Sequence, residues 1–188
     1  MQNMPHIFAP TTPDLGNQVR MRRGRELLGL SVVGQEDGRR LGNVRDLFFD
    51  HDTDELLALV IAEKDLFGLI DAQIVPWREI VSIGGDVILA RNAASLINLR
   101  DDPRVREMAQ RETVLSGTAV MSQSGEKIGT LADMFIDETT GRVLGYEVSN
   151  GFLSDTLRGK KFVPAPPGLA IGRDAAIAPP STEAQIKK

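Results

Sequence analysis

Short runs in which apolar and polar residues alternate, each closed by Gly, Pro, Asp or Asn, occupy most of this chain. That pattern predicts strands and turns rather than helices. Strands are expected near 30–35, 40–50, 55–62, 72–77, 80–83 and 86–90, and again near 117–122, 127–137, 142–149, 160–164, 168–171 and 174–178. The two sets repeat each other. A shift of 87 residues lays Asp37-Gly38-Arg39-Arg40-Leu41-Gly42 over Ser124-Gly125-Glu126-Lys127-Ile128-Gly129 and carries Asp46, Phe48, Asp50, Thr53 and Leu57 onto Asp133, Phe135, Asp137, Thr140 and Leu144. One inserted residue later, Val75, Pro76, Ile83, Gly84 and Asp86 fall on Val163, Pro164, Ile171, Gly172 and Asp174. Matches kept in one order over such a span indicate an internal duplication. Each copy reads as a small all-β barrel or sandwich.

Turn chemistry sharpens this picture. Asp37-Gly38 and Ser124-Gly125 supply the positive φ of tight hairpin turns, and Pro76 and Pro164 suit strand ends or edges, where no ladder N–H is needed. Asp101-Asp102-Pro103 ahead of Arg104 to Arg111 predicts a cap, a proline in the first turn and one short helix. The expected organisation is a mobile N-terminal tail (1–20), a first repeat (21–92), a linker with the short helix (93–111), a second repeat (112–178) and a mobile C-terminal tail (179–188). Pro5, Pro10, Pro13 and Pro179-Pro180 break any periodic pattern in the tails.

The string Gly29-Leu30-Ser31-Val32-Val33, the Gly38/Gly42 pair, Asp46-x-Phe48-x-Asp50, Val75-Pro76-Trp77 and Ile83-Gly84-Gly85-Asp86 together resemble the PRC-barrel family, and the second repeat carries the same skeleton more loosely. The resemblance implies an all-β chain of two tandem six-stranded barrels. Family members include the cytoplasmic domain of the photosynthetic reaction-centre H subunit and the C-terminal domain of the ribosome maturation factor. No membrane-spanning helix precedes the first barrel, unlike the former, and a second barrel stands where the latter has a different domain. The resemblance therefore implies a fold more than a job.

Composition narrows the chemistry. The 188 residues include no Cys, which removes disulfides, thiol nucleophiles and Cys-held metals and fits a reducing, cytoplasmic setting. The longest apolar run, Leu56 to Ala62, is too short to cross a bilayer. The net charge is −4, with −4 over residues 22–92 and −2 over 112–178, so neither repeat offers a broad nucleic-acid footprint. Arg20, Arg22, Arg23 and Arg25 form a local basic patch, expected to face solvent or to touch a phosphate backbone or acidic partner weakly.

Few residues suggest catalysis. Asp50, Asp52 and Asp54 alternate like the start of a calcium loop, but Glu55 and Ile61 stand where the bend-forming Gly and the bidentate Glu belong. Asp46 and Asp133, each two residues ahead of an aromatic, fit a structural carboxylate at a bend. His6 and His51 alone build neither a triad nor a metal cluster, and Gly151 to Lys161 has the wrong spacing for a phosphate loop. No catalytic residue, metal or cofactor is expected. Phe67, Leu69 and Trp77, with Phe152 and Leu153 in the second repeat, are candidate partner-binding residues that either bury a contact between repeats or face a partner or a second copy. The expected activity is non-enzymatic: an interaction or adaptor module with an unidentified protein partner and a possible homodimer. An RNA-processing or ribosome-assembly factor is the alternative.

Overall fold

The computed structural model describes residues 19–62, 72–110, 117–149, 160–165, 169–172 and 174–187. Within them the first repeat contributes β2 (Ser31–Gly34), β3 (Arg40–Asn43), β4 (Asp46–Asp50), β5 (Glu55–Ala62), β6 (Gln73–Pro76), β7 (Ile80–Ile83), β8 (Val87–Ala90) and β9 (Ile97–Asn98), preceded by β1 (Met21–Arg23). The second contributes β10 (Ala119–Met121), β11 (Lys127–Asp137), β12 (Val143–Ser149), β13 (Lys161–Pro164), β14 (Ala170–Ile171) and β15 (Ala175–Ile177). The described residues also hold two α-helices, α1 (Pro103–Gln110) and α2 (Pro180–Lys187).

The repeats follow one strand path. In the second it runs β13-β12-β11-β10-β15-β14; in the first it divides into β6-β5-β4 and β3-β2-β8-β7. The division falls at Val44 and Arg45, whose N–H groups donate to Leu30 and Val60 on different neighbours, so the chain leaves one strand for the other at a corner. At the matching place β11 stays continuous and only shifts register between Leu131 and Asp133. Among the described residues neither path returns to its start, so the sheets are open or half-barrels rather than the closed six-stranded barrels expected. Gly38 (φ 65°) and Gly125 (φ 83°) make the tight turns their positions predict. Pro76 pairs with Ala58 and Pro164 with Gly145, equivalent places in the two ladders.

Three boundaries move. β1 pairs with β11, placing Met21 opposite Asp137 and Arg23 opposite Phe135, so the segment ahead of the first repeat completes the sheet of the second. The linker is no loose connection. β9 extends the ladder beyond β6, and α1 packs on β4 and β5, in a cluster where Leu57, Val60 and Ile74 gather with Val105 and Met108. Asp102 caps α1 by accepting from the N–H groups of Arg104 and Val105, and Arg78 holds that carboxylate at 2.7 Å. The third change is at the C-terminus, expected as a mobile tail. The prolines there start a helix rather than prevent one, and α2 buries Ile186 completely in the main core. Residues 1–18 lie outside the described residues.

The main core runs without interruption through both repeats, with Val32, Leu59, Val75 and Ile88 from one and Leu131, Ile136, Val148 and Val163 from the other. Across the seam the two hairpin loops zip together by equivalent bonds. Leu56 N–H donates to Gly141 O, Val143 N–H donates to Asp54 O, both at 2.8 Å, and Glu55 bridges Arg142. Each of these pairs maps onto its reciprocal under the 87-residue shift, so the seam has local two-fold pseudosymmetry centred between Glu55 and Arg142.

Candidate functional site

Two places on this frame gather the charged and aromatic side chains: the face where β1 meets the second repeat, and the cleft beside the seam. β1 runs directly into a 3-10 turn, Gly24–Leu27, so Arg22, Arg23 and Arg25 are laid across β11 and β12. Arg20 and Arg22 pair with Glu138, Arg23 and Arg25 with Glu147, and Arg25 also with Asp133 at 2.9 Å. Lys160 adds a third cation to Glu147 at 2.8 Å. Burial pushes the Glu147 carboxyl up, but Lys160 and Arg23 more than offset this and hold it below the usual carboxylate range. The basic patch read from the sequence is thus tied by ion pairs to the acids of the second repeat. Arg20, Arg23 and Arg25 still face solvent in part, while the chain's own carboxylates occupy part of each guanidinium fork.

Aromatic rings lie on the same face. The Arg23 guanidinium sits 5.2 Å from the centre of the Phe135 ring, and Phe135 meets Phe162 edge-on with centroids 5.2 Å apart. The Phe162 ring lies over Gly145, where any Cβ would overlap it. Phe162 itself is 46% exposed. It was missed in the sequence, where its two preceding lysines, Lys160 and Lys161, gave the only hint of a surface strand.

The cleft has a volume of about 390 Å³ and is lined by His51, Asp54, Gln123 and Tyr146 on its polar side and by Leu169 and Ile177 on its apolar side. Asp54 holds a left-handed backbone (φ 54°), matched at the equivalent Gly141 (φ 74°), and its carboxylate accepts the Tyr146 hydroxyl at 3.0 Å. Burial, with the Asp54 charge beside it, raises the Tyr146 pKa. The three alternating aspartates do not converge. Asp50 is buried, accepts from Asp52 and Thr53 backbone N–H groups and pairs with Arg104 at 2.8 Å. Among the described residues no three His, Cys, Asp or Glu side chains are placed to hold a metal ion.

Trp77, half-buried after β6, packs against Gly141 of the other repeat. Phe67, Leu69, Phe152 and Leu153 lie outside the described residues. Asp46 accepts from the Leu47 N–H beside it, and Asp133 accepts from the adjacent Met134 N–H and from the Arg25 N–H, which ties the turn after β1 to β11.

The strand path occurring twice has its counterpart in a family comparison: the PRC-barrel domain model matches residues 20–97 and 113–185. The chain belongs to the PRC-barrel family. The two matched segments agree with two tandem copies of the domain, and the first begins at Arg20, close to β1. A Bacillus subtilis (strain 168) protein described as "Probable sporulation protein YlmC" is 34% identical over 64 residues, which cover 32% of this chain and 79% of that protein. The matched length is about that of one PRC repeat. No helix among the described residues is long and apolar enough to cross a membrane.

Proposed function

We propose that this PRC-barrel protein is a non-enzymatic interaction or adaptor module that binds another protein in the cytoplasm. The observation that carries the reading is the state of the basic patch. Arg22, Arg23 and Arg25 are each held by Glu138, Glu147 or Asp133, so the patch is a few fixed, partly exposed donors rather than the continuous run of free cations that would track a phosphate backbone. The carboxylates that might do acid–base work are similarly bound: Asp50 by Arg104, Asp102 by Arg78, and Asp54 by Tyr146. Single large apolar residues such as Val81 and Phe162 remain exposed on strands, as a protein-binding surface requires.

The test is affinity purification of the tagged full chain from its own cells, with and without nuclease, at low and raised salt. Partners retained after nuclease and at raised salt support a protein contact. Loss of all partners on nuclease treatment, with steep weakening in salt, would favour the RNA-processing or ribosome-assembly alternative, because phosphate contacts release counterions.

A further inference from the structure

The duplication allows each face of one repeat to be compared with its counterpart in the other, and one face differs sharply. In the first repeat the outward residues Phe48, Ala58, Val60 and Ile74 gather in one cluster with Val105 and Met108 of α1, which packs on β4 and β5, and Ile74 is 0% exposed. The 87-residue shift carries the first three onto Phe135, Gly145 and Glu147, and past the one inserted residue Ile74 falls on Phe162. The ladders agree, since Val60 pairs with Ile74 and Glu147 with Phe162. β9 extends the ladder beyond β6, whereas β13 pairs only with β12 among the described residues. The counterpart of a residue fully buried in the cluster that α1 closes is therefore a Phe left 46% exposed beside a strand edge.

We infer that this face, centred on Phe162, docks an acidic amphipathic helix of another protein. The inference rests on the interaction-module reading and names its site and the chemistry of its partner. The first repeat shows which kind of element covers this face: an eight-residue helix presenting Val105 and Met108, one turn apart, to the sheet. Charge sets the helix's polar residues. Around Phe162 the side chains of Arg23, Arg25 and Lys160 are 36–48% exposed, whereas Glu147 and Asp133, which they pair with, are 4–5% exposed. Acid lies beneath and base lies above, so the surface met by an incoming chain is positive. A second copy docking by the same face would bring two positive surfaces together, which disfavours an isologous dimer here. Asp or Glu flanking an apolar pair complements the rim, while the apolar pair covers Phe162. Aromatic and arginine side chains are the residue types that anchor such contacts.

The experiment uses the isotopically labelled full chain and two stapled helical peptides built on residues 102–110. One keeps the native sequence and the other carries R104E and R106E. Backbone amide shifts are followed, with the Phe162→Ala chain as control and its melting temperature checked, since an exposed ring should be dispensable for folding. The acidic peptide is expected to move the amides of Phe135, Gly145 and Phe162, to bind at least fivefold tighter than the arginine peptide, and to weaken at least fivefold on Phe162→Ala. Equal binding of both peptides, no effect of Phe162→Ala, or shifts confined to the cleft would overturn the site. So would a single-stranded RNA oligonucleotide that binds the same amides more tightly at equal salt, or a dimer that sedimentation shows Phe162→Ala to dissolve. Purification from native cells separates this from the broader reading: nuclease-resistant partners retained equally by Phe162→Ala remove this face alone, and the absence of any such partner removes the interaction module.

Discussion

Gly141 and Asp54 hold the backbone of the seam, and each needs a left-handed conformation to present its carbonyl to the other repeat. Gly141→Ala would strain a φ of 74° and drive a methyl into the Trp77 indole. It is expected to cost at least about 2 kcal/mol. Trp77, the only Trp, reports this directly: its emission should shift red at zero denaturant if the loop withdraws, alongside an earlier unfolding midpoint. Carboxylates supply a second residue-scale outcome. Burial raises Asp50, Asp102 and Glu147, but Arg104, Arg78 and Lys160 with their neighbouring hydrogen bonds leave each below its ordinary value. Because these folded-state pKa values are depressed, their stabilisation is present above the unfolded value near about 4 and is lost as pH falls through the folded one. The melting temperature should thus hold from neutrality to about pH 5 and fall steeply below about pH 4. A flat profile to pH 3 would contradict this. The turn glycines and the Asp102 cap were legible in the sequence because local conformation dictates them. The partners of Arg20 to Arg25 were not, since a charge pattern names no acid more than a hundred residues away.

At the scale of elements, α2 departs most from what the sequence suggests. Its prolines and terminal lysine resemble a tail, yet Ile186 is 0% exposed in the main core and Lys187 pairs with Glu126 at 2.8 Å. Its two buried residues are Thr182 and Ile186, and one apolar side chain in an eight-residue segment leaves no apolar periodicity to detect; tertiary packing stabilises such a helix more than its propensity does. Ile186→Ala is expected to destabilise by about 2–4 kcal/mol in denaturant unfolding, against little change for the exposed Gln185→Ala. A loss below about 0.5 kcal/mol would mean that α2 does not dock in solution. The strand pattern and the duplication, by contrast, could be read directly, because alternation and turn spacing are local and occur twice. β1 could not, since three residues show no period and its partner strand lies in the other repeat.

For the molecule as a whole, the continuous core and the crossing of β1 predict that the repeats unfold together. Trp77 fluorescence and far-UV circular dichroism should give coincident denaturant transitions for the full chain. Isolated residues 19–110 and 117–187 should each melt lower than the full chain. Two separate transitions, or halves as stable as the whole, would show that the repeats fold independently. The position of Glu55 opposite Arg142 carries a further consequence. On a true two-fold axis a side chain must face its own twin, so two identical subunits would set Glu against Glu or Arg against Arg. Joining the copies in one chain removes that restriction, and opposite charges occupy the axial positions. The same release from self-complementarity lets Val60 join the cluster that a helix closes while its counterpart, Glu147, anchors three cations, so each copy is free to acquire a face the other lacks.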